Sequence, residues 1–134
     1  MSSFIPNDEI RQEDFEWGRV GWRLTPAEGA QHLVVMDVAV EPGQGHAFHR
    51  HPGQEEMIIV KQGVVTQFLE QERRRLGPGD SVFIEAGVVH ASFNAGDETV
   101  HLQVVISPTL GEGSGYGTED VAHEEPWASI DWRS

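Results

Sequence analysis

Apolar and polar residues alternate along much of the middle of this chain, the period-2 pattern of half-buried strands. Residues 31–41 place Val34, Met36, Val38 and Val40 on one face, and residues 99–107 do the same with Val100, Leu102, Val104 and Ile106. Glycine and proline turns cut the region between them into short pieces: Pro42-Gly43-Gln44-Gly45, then Gly63, then Gly77-Pro78-Gly79-Asp80. Strands are expected over 56–62, 64–70, 73–76, 81–84 and 88–94, the first two as a pair around Gly63. No stretch sustains a 3.6-residue period with caps. The fold class is therefore all-β, a sandwich or barrel with less than about 15 % helix.

The ends differ from this core. Residues 1–30 read as a polar N-terminal extension, acidic over 1–16, with Phe4, Ile5, Ile10 and Phe15 as apolar anchors. After Pro108, the run GEGSGYG has the composition of a flexible linker. Trp127, Ile130 and Trp132 in the tail 108–134 point to docking, on the barrel itself or on a second subunit. With 134 residues the expectation is one domain, its barrel core spanning about 31–107.

Composition narrows the partners. Net charge is −13, from 22 acidic against 9 basic residues, which argues against nucleic acid and anionic membranes, since both need clustered cations. There are no cysteines, hence no disulfides, thiolate metal sites or cysteine nucleophiles. The N-terminal residues lack the basic and apolar regions of a secretory signal, and no apolar run approaches a membrane span. A soluble cytoplasmic protein is expected.

Candidate chemistry sits between Gly43 and Asn94. The first half reads Gly43-x5-His49-x-His51-x4-Glu56-x6-Gly63, the second Gly79-x5-Glu85-x-Gly87-x2-His90-x3-Asn94. Four glycines at four preset places arise by chance roughly 2 times in 100,000 at average usage. On a strand, His49 and His51 face the same way about 6.6 Å apart and can aim at one ion. Glu56 has the wrong parity for an unbroken strand, but Pro52-Gly53-Gln54 can reset the phase; Glu55 is its neighbouring alternative. His90 would have to come from another strand. Imidazole and carboxylate donors without thiolate suit a divalent Mn, Fe, Ni, Cu or Zn ion.

The two halves resemble the paired motifs of the cupin family, over roughly residues 31–107. The resemblance implies a double-stranded β-helix, or jelly-roll, with His49, His51, Glu56 and His90 as ligands of one metal ion per chain. It also implies a homodimer. Family activities range from dioxygenases and decarboxylases to isomerases and plain ligand binding, so the motif leaves the reaction open. The reading adopted is a metal-dependent, dioxygenase-like oxidoreductase, with Glu56 carried over as a catalytic base. A non-catalytic ligand binder and an isomerase or decarboxylase are the alternatives. Glu85 stands where the family usually has proline, and reads as a solvated turn residue.

Parity supplies a pocket list. Ala47 shares a face with His49 and His51, Ile58 and Val60 with Glu56, and Ser92 with His90. Gln103 is a candidate to support the ligands from the last strand. The pocket so drawn is mostly apolar and fits a compact, partly apolar or aromatic small molecule. His46 and Phe48 have the opposite parity and read as outward packing. Met57 and Ile59 also point outward, an apolar strand face that invites a partner. Arg73, Arg74 and Arg75 read as a solvated edge, and Asn94 as a turn residue.

Overall fold

The structure, a computed structural model, describes residues 1–111 and 113–134. Among these are eleven strands, three 3-10 turns and no α-helix. In chain order the strands are β1 (Arg11–Phe15), β2 (Gly18–Leu24), β3 (Val34–Val40), β4 (Gly45–Arg50), β5 (Glu55–Gln62) and β6 (Val65–Leu69). Then come β7 (Glu72–Leu76), β8 (Ser81–Ile84), β9 (His90–Phe93), β10 (Val100–Ser107) and β11 (Glu119–Asp120). One sheet has the order β1-β2-β3-β10-β5-β8, the other β11-β4-β9-β6-β7, and all pairings are antiparallel. From β3 onward the chain crosses repeatedly from one sheet to the other. This is a double-stranded β-helix, the jelly-roll arrangement.

The expected strand pair around Gly63 is not formed. β5 and β6 lie in different sheets, and the chain changes sheet between them. Gly63 sits there at φ 81°, a backbone region that costs glycine nothing. A Cβ on it would also lie 3.1 Å from the Thr99 carbonyl oxygen. Crossover and close approach together account for this glycine of the motif.

Residues 11–24 are strands rather than a polar extension. β2 joins the first sheet beside β3, with Val20 opposite Val38 and Trp22 opposite Met36. Val20 and Trp22 are buried in the core between the sheets, with Val34, Met36, Val40, Ile58, Val60, Val104 and Ile106 among their neighbours there. The Trp22 indole donates to Glu13 on β1 at 3.0 Å, so the edge strand covers its one polar atom. Of the proposed anchors Ile10 is buried and Phe4 is fully exposed.

A second apolar cluster, Phe48, Phe68, Val89, Ala91, Phe93 and Val121, is packed by Trp127, Ile130 and Trp132 of the tail. Trp132 stacks on Phe93 with centroids 4.4 Å apart and planes within 7°. Arg73 donates to the Asp131 carbonyl at 3.3 Å, and Arg133 to the Gly43 carbonyl at 3.0 Å. The tail therefore docks on its own barrel.

The segment read as a flexible linker is fitted into place, with Glu112 outside the described residues. Gly115 has φ 89°, and a Cβ on it would lie 2.7 Å from Val34 and 2.8 Å from Pro26. Gly117 is also close-packed, since a Cβ on it would lie 3.1 Å from Leu110, whereas Gly111 and Gly113 take positive φ in open space. No helix among the described residues is long and apolar enough to cross a membrane.

Candidate metal centre

His49 lies on β4 directly opposite His90 on β9. His51 follows just past the end of β4. A turn closed by the Gln54 N–H on the His51 carbonyl, at 3.2 Å, then swings the chain into β5. That turn resets the phase and brings Glu56 across from the other sheet. One donor atom from each of His49, His51, Glu56 and His90 lies within 4.8 Å of the others, and all four side chains are buried. Glu55, the neighbouring alternative, is exposed.

Each imidazole is oriented by a backbone carbonyl. The contacts are His49 Nδ1 to Ala47 O at 2.6 Å, His51 Nδ1 to Gly117 O at 2.7 Å, and His90 Nδ1 to Val88 O at 2.9 Å. A carbonyl only accepts, so Nδ1 carries the proton in all three and Nε2 is left for the centre. His51 Nε2 lies 3.2 Å and His90 Nε2 2.8 Å from Glu56 Oε1. The His90–Glu56 approach is short but out of hydrogen-bonding geometry, so His90 Nε2 and Glu56 Oε1 are both buried without a hydrogen-bond partner. Orphaned acceptors of this kind are costly unless something electropositive joins them. Three imidazole nitrogens and a carboxylate form the donor set of a divalent transition metal. The residues present fit the ion.

Electrostatics at the centre is divided. Burial pushes Glu56 up, but the close approach of the His51 and His90 rings outweighs it and holds the carboxyl well below its usual range. His51 feels burial downward and Glu56 and Gly117 upward, with a net rise. His49 is held well below the ordinary histidine value, by burial first and then by the neighbouring histidines. His46 is lowered to about 4, chiefly by burial.

A cavity of about 140 Å³ opens beside the ligands, walled by Met36, Val38, Val40, Ile58, Leu102, Val104 and Ile106, and reached by His46, His51, Ser92 and Tyr116. Of the sequence-derived pocket residues, Ile58 and Ser92 line it. Val60 is buried in the inter-sheet core but is not on the cavity wall. Ala47 is exposed, and His46 takes the inward place instead. The cause is a register shift between His46 and His49, a bulge that breaks the two-residue alternation. The His46 ring stacks on His49 at 3.8 Å and lies parallel to Trp17 at 5.6 Å. Gln103 is on the outer face of the first sheet, donating to Asp37 at 3.1 Å, because Leu102 and Val104 are the inward residues of β10.

Tyr116 and Trp17 also escaped the sequence reading, although a single tyrosine inside a glycine run was a usable signal. Ser92 donates to Gln67 at 2.7 Å, and Asn94 braces a turn by donating to Val40 and Glu98 carbonyls at 2.9 and 2.7 Å. Arg74 pairs with Glu72, and Glu85 is exposed in its turn.

Known proteins resemble the chain in sequence and in fold. Germin-like protein subfamily T member 3 of Arabidopsis thaliana is 31 % identical over 83 residues, which are 58 % of this chain and 37 % of that protein. The chain thus matches well under half the length of that curated relative. KdgF from Halomonas sp. superposes with a TM-score of 0.72 at 25 % identity, over 81 % of this chain and 94 % of the other. The polyketide cyclase RemF from Streptomyces resistomycificus gives 0.75 at 19 % identity over 99 % and 96 %, a likeness of fold. The sequence model of the cupin domain matches residues 36–107, over half of the chain and all four clustered residues, so this chain belongs to the cupin family.

Proposed function

We propose that this chain is a metal-dependent enzyme, an oxidoreductase of the dioxygenase kind acting on a compact, partly apolar or aromatic small molecule. The observation that carries the reading is the buried cluster of three histidines and one glutamate beside a mostly apolar cavity. His49, His51, Glu56 and His90 would hold one divalent ion, of Mn, Fe, Ni, Cu or Zn. When bound, such an ion supplies Lewis-acid polarisation of a substrate oxygen and, where redox-active, electron exchange with dioxygen.

The protein's own groups supply the rest. The aliphatic walls exclude water, and a cavity of about 140 Å³ limits the reacting part of the substrate to roughly one ring. His46 is neutral at pH 7, since burial holds its pKa at about 4, so it can accept a hydrogen bond from a substrate hydroxyl. Tyr116 is raised, by burial first and then by Glu56 and Glu13, and stays protonated as a donor. Glu56 is ionised beside two histidines, and the role of proton acceptor is carried over to it from the family resemblance.

A second reading is a metal-assisted isomerase or decarboxylase. It is favoured by the neutral histidine and protonated tyrosine on one cavity, a hydrogen-bond acceptor and donor that need no oxidant. The deciding experiment uses protein purified without chelator. Its metal content is measured, and oxygen uptake is followed over a panel of phenols, diols and diketones with mass analysis of products. Oxygen consumed in step with product supports the oxidoreductase. Conversion without oxygen uptake supports the second reading, and binding without conversion overturns both.

A further inference from the structure

The three histidines of the centre differ in one respect. His49 and His90 take their orienting carbonyls from two residues earlier in the chain, Ala47 and Val88. His51 takes its carbonyl from Gly117, 66 residues away, inside the glycine-rich segment after the barrel. Gln54, three residues after His51 and only 2 % exposed, binds the backbone of that same segment. Its amide nitrogen donates to Pro108 O at 2.7 Å and Gly115 O at 3.0 Å, and its carbonyl accepts from the Gly117 N–H at 3.0 Å. Both amide hydrogens and the oxygen are committed to one strap. Between the two clamped glycines, Tyr116 presents its ring edge-on to His51 at 5.3 Å and lines the cavity.

We propose that Gln54 is a positioning residue of the metal centre: it clamps Pro108 and the strap Gly115–Gly117 so that Gly117 fixes the ring of His51 and Tyr116 lines the cavity. The strap is thus part of the site, and metal affinity depends on its docking. The inference rests on the metal reading above and adds to it a specific dependence on a distant segment. Hydrogen bonds to the far nitrogen of a ligating histidine set its ring orientation and basicity, and losing one weakens metal binding about 10–100-fold.

The test uses the full chain, wild type and Gln54→Leu, with two readouts. In metal-free protein, the Nδ1 protons of the three histidines are followed by NMR. The wild type is expected to hold all three against exchange; Gln54→Leu releases that of His51 and leaves those of His49 and His90 unchanged. With Co2+ as probe, chelator competition is expected to show affinity lowered about 10–100-fold, together with an altered Co2+ absorption spectrum.

A merely structural role for Gln54 would move all three protons together or none, and either result overturns the proposal. So does a folded Gln54→Leu with wild-type Co2+ affinity. Should that variant not fold, Gln54→Glu keeps the acceptor for Gly117 N–H but loses both donated bonds. It is held to the same expectation for the His51 proton. A wild-type protein that takes up no Co2+ overturns the metal reading, and the His51 proton then decides the clamp by itself.

Discussion

His46 shows how much one side chain can set. Its ring lies half-buried between Trp17 and His49, and its pKa falls from 6.5 to about 4. The unfolded chain takes up a proton below pH 6.5 that the folded chain refuses until about pH 4, so acidification across that range favours unfolding. His49 acts in the same direction. The raised His51 acts oppositely: its contribution is complete below its unfolded value and fades as pH rises through its folded one. Glu56, held low, loses its contribution only as pH falls below the ordinary carboxylate range. Between pH 5 and 6 the two lowered histidines therefore set the slope. In metal-free protein, His46→Phe should keep the stack and reduce that slope by about 1.4 kcal/mol per pH unit, the linkage value of one proton. Urea titrations at a series of pH values measure it, and an unchanged slope would place His46 in water. The ligands give a second expectation. His49→Ala, His51→Ala or His90→Ala should each lower metal affinity more than about 100-fold, beyond what losing an outer partner costs. Changing His32 or His123, both outside the cluster, should leave it alone. Equal metal content after dialysis of His90→Ala and wild type would contradict a shared ion.

Among the elements, the β1–β2 hairpin is the one whose worth is easiest to misjudge. Trp22 is 7 % exposed in the core, so Trp22→Ala should destabilise the protein by about 3–5 kcal/mol, whereas Phe4→Ala, at a fully exposed position, should cost nothing measurable. Chemical denaturation of the two variants checks both halves. β3 and β10 were legible from sequence because one face of each meets the core, which imposes a clean two-residue period. β2 carries the same signal in Val20, Trp22 and Leu24 against Arg19, Gly21 and Arg23, but two glycines interrupt it and an acidic run precedes it. The four clustered residues were legible because their spacing is bound to glycine turns. His46 was not, since a bulge leaves no mark in a parity count. Nor was the strap: composition reports how freely a glycine can move, and packing against Pro26 and Val34 decides whether it does.

At the scale of the whole molecule, the two sheets are finished differently. The outer face of β4, β9 and β6 is covered by the tail through Trp127, Ile130 and Trp132. On the first sheet, Met57 and Phe83 stand opposite one another and remain 36 % and 53 % exposed. Val105, opposite Met57 on its other side, continues that strip, and Val35, opposite Val105 in turn, extends it onto β3. The N-terminal hairpin cannot cover it, because β1 and β8 are opposite edges of that sheet. A homodimer through this face is the expected assembly. Sedimentation of wild type and Phe83→Glu tests it: a dimer that falls to monomer in the variant is the expected result. A wild type that stays monomeric at high micromolar concentration would show the strip to be plain surface.

The place of β10 has a consequence for how the chain comes to be folded. It lies between β3 and β5, so the middle of the first sheet stays open until residue 107 has been made. Strands β3 and β5 must wait for a neighbour some forty to seventy residues further along, a wait that places closure in the slower, millisecond-to-second class of folding reactions. The carbonyl that orients His51 is made later still, at residue 117. During synthesis, then, the motif that carries most of the ligands emerges early and its final geometry arrives last.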